Sequence, residues 1–271
     1  MSLLVGTGRF RALDPGVALD EGWATPGEEF AGFYAERHVW WLELEAHGEP
    51  AHGARLVEGT AMENMQAALS RVYAWRAAQA EKVRRGEALE GEVVGINLVY
   101  LRGGVVRDGS AAYDDASFLM NVQPGHALAG FDMRVPPWTD RAELEALVAG
   151  NWAPRELNLT HRFVIQDWRR APGGSPPVTD TAGPWWRLLA ETLRSSLGAA
   201  LVPDVFPAAT DSRYLRELGI PVIGFSPMRN TRRLLHEHDE RLARGVFLEG
   251  LEALVGVVQA FADAGSSFDG E

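Results

Sequence analysis

Between about residues 32 and 166 the hydrophobic periodicity keeps changing, and the order of those changes constrains the fold more than anything else in the chain. Trp40, Leu42, Leu44 and Ala46 alternate with Trp41, Glu43 and Glu45, the mark of a half-buried strand. Met62, Met65, Leu69 and Val72 recur at helical spacing, good helix formers continue to about Arg85, and Gly86 is a natural stop. Val93 to Leu101 is rich in β-formers and closes at Gly103-Gly104. Ala127 to Val135 reads as a strand with Leu128, Gly130, Asp132 and Arg134 on one face, stopped by Pro136-Pro137. Asp140 to Val148 predicts a short helix with Leu144, Leu147 and Val148 inward, and Leu157 to Ile165 alternates again.

Strand, helix, strand, strand, helix, strand is the split β-α-β order of a ferredoxin-like antiparallel sheet with two helices on one face. The polar, Gly/Ala/Asp-rich stretch from Val105 to Phe118 has no period and reads as a loop insertion. A Pro- and Gly-rich linker, Arg169 to Pro184, marks a boundary. Beyond it come a helix (Trp185, Leu189, Leu193), a strand (Leu201 to Phe206), a short helix near Tyr214 and a strand (Pro221 to Phe225). A last helix follows, with Phe247, Leu251, Leu254, Val258 and Phe261 as its expected buried line. Val17 to Leu19 adds a short strand ahead of the inserted block, so the flanks form a thin α/β layer of about three strands. The expectation is an α/β protein with a partial catalytic layer in 1–31 and 169–271 and an inserted α+β domain in 32–168.

Val246 to Ala262 is the most apolar stretch, but Glu249, Glu252 and Gln259 interrupt it, which favours a buried helix over a membrane span. The N-terminal run is broken early by Gly6 and Arg9 and makes a poor signal peptide. With no cysteine, disulfides and thiolate metal sites are excluded. A formal net charge of −11 argues against nucleic acid and anionic membrane surfaces as partners.

Four clusters carry possible chemistry, each with a plainer alternative. Leu19-Asp20-Glu21-Gly22 puts carboxylates at a strand end, or is a solvated turn. His236-Glu237-His238-Asp239-Glu240 offers the imidazole and carboxylate ligands that zinc takes when thiols are absent, or is an acidic helix N-terminus. Thr210-Asp211-Ser212-Arg213 holds an arginine beside residues that also suit a helix N-cap. Asp132 and Arg134 share a strand face, with His52 and Asn121 in the same block, and Arg suits a carboxylate ligand as well as a local ion pair.

The order of these clusters resembles a known family. Ala18-Leu19-Asp20-Glu21-Gly22, Glu36-Arg37 before Trp40-Trp41, Gly48-Glu49-Pro50-Ala51-His52 and Ile96-Asn97-Leu98 come first. Asn121-Val122-Gln123-Pro124, Phe131-Asp132-Met133-Arg134-Val135 and Pro207-Ala208-Ala209-Thr210-Asp211-Ser212-Arg213-Tyr214 follow. Gly224-Phe225-Ser226-Pro227-Met228 and Leu234-Leu235-His236-Glu237-His238-Asp239-Glu240-Arg241-Leu242 end the series. Together they resemble the cytosolic aminoacylases, the N-acyl-L-amino-acid amidohydrolases among the dinuclear-zinc peptidases, from about Phe10 to Ala262.

The resemblance implies a cytoplasmic homodimer with two zinc ions per site and an N-acyl amino acid as substrate. It implies Glu21 as a ligand of one zinc and His236 as a ligand of the other. It implies that His52 acts on the oxyanion in a partner subunit's site. Asn121, Arg134 and Arg213 would hold the substrate carboxylate, with Asp132 orienting and Thr210 nearby. The family also carries, ahead of the position of Glu21, a His-x-Asp motif, a bridging aspartate and a Glu-Glu pair that includes the general base; the residues before Glu21 show none of these. The expectation is therefore an aminoacylase lacking its N-terminal part. The alternatives are a non-catalytic dimerisation protein that pairs with a full-length relative, or a stand-alone hydrolase that recruits Asp20, Glu28 or Glu29 as ligands.

Overall fold

The computed structural model describes residues 1–106, 118–264 and 268. In chain order its helices are α1 (Ser2–Val5), α2 (Gly8–Leu13), α3 (Ala61–Arg84), α4 (Arg141–Leu147), α5 (Pro184–Leu197), α6 (Ser212–Glu217) and α7 (Arg244–Ala264). Its strands are β1 (Ala18–Asp20), β2 (Phe30–Glu36), β3 (His38–His47), β4 (Ala51–His52), β5 (Gly95–Gly103), β6 (Val122–Gln123), β7 (His126–Val135), β8 (Leu159–Gln166), β9 (Leu201–Phe206) and β10 (Val222–Phe225). They form two compact units, one of residues 1–37, 89–91 and 168–271, the other of residues 38–88 and 92–167.

The inserted unit is built on a four-stranded sheet of order β5-β7-β3-β8. Every neighbouring pair in it is antiparallel. Alternation works here as the sequence predicts. Trp40, Leu42, Leu44 and Ala46 on β3 and Ala127, Ala129, Phe131 and Met133 on β7 point into the core. Helix α3 covers that face with Ala61, Met65, Ala68 and Val72. Met62, expected inward, is exposed, because the buried line runs through the smaller Ala61 and Ala68. The start of α3 is fixed by a capping box, in which Thr60 accepts from the Glu63 amide and the Glu63 carboxylate accepts from that of Thr60. Val106 and Phe118 pair across the base of the predicted insertion, whose residues 107–117 lie outside the described ones.

The flanking unit holds a mixed sheet of order β1-β10-β2-β9. β1 and β10 are parallel, β10 and β2 antiparallel, and β2 and β9 parallel. This sheet has a strand more than expected, because β2 belongs to it. Phe30-Ala31-Gly32-Phe33-Tyr34-Ala35 is a continuous apolar run without alternation, as suits a strand covered on both faces. The expected boundary near residue 32 thus lies at 37 to 38. One face of the sheet meets α5 and α7 through Phe30, Trp186, Leu189, Ile223, Ala253 and Val257. Smaller clusters around Phe10, Leu215 and Val222, and around Phe33 and Phe206, complete the unit.

The last helix departs from expectation in one respect. Its buried residues are Gly250, Ala253, Val257 and Phe261. Phe247, Leu251, Leu254 and Val258, predicted to line it inward, are all exposed.

Candidate active site

In the flanking unit the parallel pairing of β1 and β10 brings two predicted ligand segments to the same sheet edge. Ala18 pairs with Val222 and Asp20 with Gly224, so Glu21 and Ser226 leave their strands at the same end. The chains stay joined beyond the strands: the Gly22 amide donates to Ser226 Oγ and the Thr25 amide to the Met228 carbonyl. Arg233 Nε donates to the Ala24 carbonyl, and a cavity of about 330 Å³ lies between Gly22–Ala24 and the 228–242 loop. His236 sits in this loop with φ of 61° and an exposed side chain. The 236–240 segment is not the acidic helix N-terminus offered as an alternative, since α7 begins only at Arg244.

Asp20 and Glu21 differ in electrostatics although adjacent. Burial acts to raise Asp20, but donors from Ser212 Oγ and the Glu21 and Ser212 amides outweigh it and hold the carboxyl below its usual value. Glu21 is pushed up, first by burial and then by the Asp20 charge. Asp20 is thereby committed to the start of α6. Among the described residues, no three His, Asp or Glu side chains converge as a metal site would require. Glu21 and His236 alone fall short of the about four ligands zinc normally takes, so these residues do not by themselves fit a two-zinc centre.

Thr210 is not the simple helix cap that the sequence allowed. Its hydroxyl and amide both donate to Glu36 Oε2, at 2.6 and 2.8 Å. Glu36 projects from the end of β2 into the interior, with Arg216 Nη1 3.9 Å away and both side chains nearly fully buried. Burial pushes Glu36 up, and the Arg216 charge and Thr210 donors only partly offset it. Burial likewise lowers Arg216 to about 10, against the pull of Glu36 and Asp20. Arg216 Nη2 also donates to the Phe33 and Val222 carbonyls, tying α6 to β2 and β10. Arg213, one turn before Arg216 on α6, stacks over the Tyr214 ring with its guanidinium carbon 5.0 Å from the centroid. Glu36 and Arg216 had no predicted role; a carboxylate ending an apolar strand was the available signal, because buried charges need partners.

In the inserted unit, Asp132 and Arg134 project from the half-exposed face of β7. Arg134 Nε lies 3.1 Å from both Asp132 carboxylate oxygens, and Nη2 adds a contact of 3.0 Å. The guanidinium is thus held by its neighbour with part of its donor edge open. Beside it is a cavity of about 410 Å³, walled by Trp41, Val99, Tyr100, Val164 and Glu43. Tyr100 crosses β7 at Gly130, where a Cβ would run into its ring. Its hydroxyl donates to Glu43, which also pairs with Arg162. Burial first, and then that bond, pushes the Tyr100 phenol up to about 12. His52 and Asn121 come together because β4 pairs with β6: His52 stands opposite Val122, and the Gly53 amide donates to the Asn121 carbonyl at 2.7 Å.

Comparison with known proteins identifies the class to which this mixed α/β chain belongs. Residues 24–260 match the model of peptidase family M20/M25/M40, and the chain belongs to that family. Within it, the chain is 38% identical to aminoacylase-1 of Mus musculus, over 97% of this chain and 60% of that protein. It is 36% identical to aminoacylase-1 of Dictyostelium discoideum, over 95% of this chain and 61% of that protein. It therefore spans about three fifths of the length of these curated relatives. Solved structures share the fold. The di-peptidase Dug1p of Saccharomyces cerevisiae matches with a TM-score of 0.59 and 11% identity, over 92% of this chain and 60% of that one. Human carnosine dipeptidase 1 matches with a TM-score of 0.55 and 11% identity, over 91% and 60%.

Proposed function

We propose that this chain is part of an aminoacylase-like amidohydrolase that removes acyl groups from N-acyl-L-amino acids. The observation that carries the reading is the likeness to aminoacylases along 95 to 97% of the chain. The geometry supports it. Arg134, preset by Asp132, offers a fixed fork for a substrate carboxylate, and the cavity beside it has an apolar wall for the rest of the molecule. Arg213, in the segment anchored by Glu36 and Thr210, and Asn121 are the further carboxylate-holding groups, with His52 beside Asn121 for the oxyanion. Glu21 and His236 are the chain's own donors toward zinc, which in such enzymes polarises the amide carbonyl and activates water. The remaining donors and the general base would come from polypeptide matching the rest of the relatives' length.

The sheet order β5-β7-β3-β8 supports reading the inserted unit as ferredoxin-like; its role in dimerisation and the homodimer are what the resemblance to aminoacylases implies. The chain's lack of cysteine suits a cytoplasmic setting. The test is hydrolysis of N-acetyl-L-methionine with added zinc. We expect no turnover by the chain alone. We expect turnover when it is co-expressed with the part of mouse aminoacylase-1 outside the match, lost on Arg134→Ala and on His52→Ala. Turnover by the chain alone would contradict the incomplete ligand set. A folded co-expressed pair that neither turns over nor binds N-acetyl-L-methionine would contradict the amidohydrolase reading.

A further inference from the structure

Helix α7 is 21 residues long, and its most apolar 18-residue stretch has a mean hydropathy of 1.5, yet only 17% of that stretch is buried. At about 100° per residue its surface divides into three sectors. Gly250, Ala253, Val257 and Phe261 form the stripe packed on the unit's core. Gly250 permits the close approach, since a Cβ there would lie 2.8 Å from the Pro227 carbonyl oxygen. Glu249, Glu252, Gln259 and Asp263 fall together on a second sector and suit water. Between these lie Phe247, Leu248, Leu251, Leu254, Val255 and Val258, all exposed, the last at 59%. They fill an arc of roughly 120° that continues directly from the buried stripe.

We infer that this arc is the seat of another polypeptide helix, laid beside α7 by a segment of the kind the relatives carry in the part of their length that this chain does not match. The inference rests on exposure and helix geometry and does not depend on any catalytic activity. An exposed apolar arc of this extent marks an interaction surface rather than a finished one. Its continuity with the core stripe means that an added helix extends the layer formed by α5 and α7. A spanning helix in lipid is apolar on every side not facing protein, whereas α7 keeps a sector of three carboxylates and a glutamine. The relatives supply a source of suitable size, since about two fifths of mouse aminoacylase-1 lies outside the match. Strand β1 points the same way. It is an edge strand paired in parallel with β10. Parallel strands are usually interior, so a βα segment can both pair with β1 and cover α7.

The test co-expresses the tagged chain with the unmatched segment of mouse aminoacylase-1 and measures co-purification and mass in solution. We expect a one-to-one complex, reduced at least tenfold by L254E together with V258E and unchanged by Y73E on the outer face of α3. Both altered α7 positions are exposed, so circular dichroism of the variant should match the parent. A complex indifferent to the α7 variant, or no complex between two soluble halves, overturns the inference. So does a homodimer of the chain that L254E/V258E dissolves, or flotation with phosphatidylcholine–phosphatidylserine vesicles that the same variant abolishes. Should the segment prove insoluble when co-expressed, fusing it directly ahead of Met1 repeats the test in one chain. A monomeric fusion in which α7 amide exchange is unaffected by L254E/V258E would then overturn it.

Discussion

The two long helices, α3 and α7, are of comparable length, 24 and 21 residues, but carry opposite surfaces. Helix α3 buries one stripe and exposes mainly charged, polar and alanine side chains, with Met62 and Tyr73 as its exposed large apolar residues and a capping box at its start. Helix α7 buries a stripe of small residues beside Phe261 and leaves six large apolar side chains outside. The first is finished against water. The second packs one stripe on α5 and the sheet and leaves an adjoining arc of large apolar side chains exposed. A helix that is apolar beyond its buried stripe points to a further surface that would cover it.

The largest expected effect separates the inner stripe of α3 from the outer arc of α7. Met65 is fully buried, so Met65→Ala should cost about 2–5 kcal/mol in urea unfolding. Leu254→Ala in the isolated chain should change stability by no more than about 0.5 kcal/mol, as for an ordinary surface site. Equal losses at the two sites would break the comparison. Next comes the fit of the small stripe. Ala253 is buried against the core, and Ala253→Leu should cost about 1–3 kcal/mol by overpacking. Smaller again, Thr60→Ala removes the α3 cap and should cost about 1 kcal/mol, with faster amide exchange confined to the first turn of the helix.

The smallest effect concerns the buried pair in the unit that carries α7. Glu36 is raised in the folded state, so folding takes up a proton between the ordinary glutamate value and the raised one. Its favourable contribution is full below the ordinary value and is lost as pH rises through the raised value. The stability of the parent relative to Glu36→Gln should therefore fall across that window in urea titrations at successive pH. A difference that grows with pH would show that Arg216 and Thr210 outweigh burial.

Much of the fold was legible because alternation and helical spacing are local. β3, β7, β9 and α5 lie where their apolar residues predict. β2 was missed because Phe30 to Ala35 does not alternate, and a strand buried on both faces has no reason to. On α7 two adjacent stripes both satisfy helical spacing, 247/251/254/258 and 250/253/257/261, and side-chain size favoured the wrong one. Gly250 and Ala253 win because small residues let the helix approach Pro227 and the core. Glu21, Thr210 and Arg213 were legible as clusters. Glu36 and Arg216 were not, because the partners are 180 positions apart and neither has meaning without the other. The Asp132–Arg134 pair was legible from the period of β7, whereas the cavity beside it needs Val99, Tyr100 and Val164 from neighbouring strands.

The most direct test of the account uses the absence of cysteine, which makes any introduced thiol the sole reporter. Val257→Cys and Val258→Cys place that thiol on the buried stripe and on the outer arc of α7. In the isolated chain Val258→Cys should react with a thiol reagent nearly as fast as a free peptide, and Val257→Cys at least tenfold more slowly. Co-expression with the unmatched segment of mouse aminoacylase-1 should slow Val258→Cys to the rate of Val257→Cys. A thiol at 258 that reacts equally fast with and without that segment, in a complex shown to be one-to-one, would contradict the account.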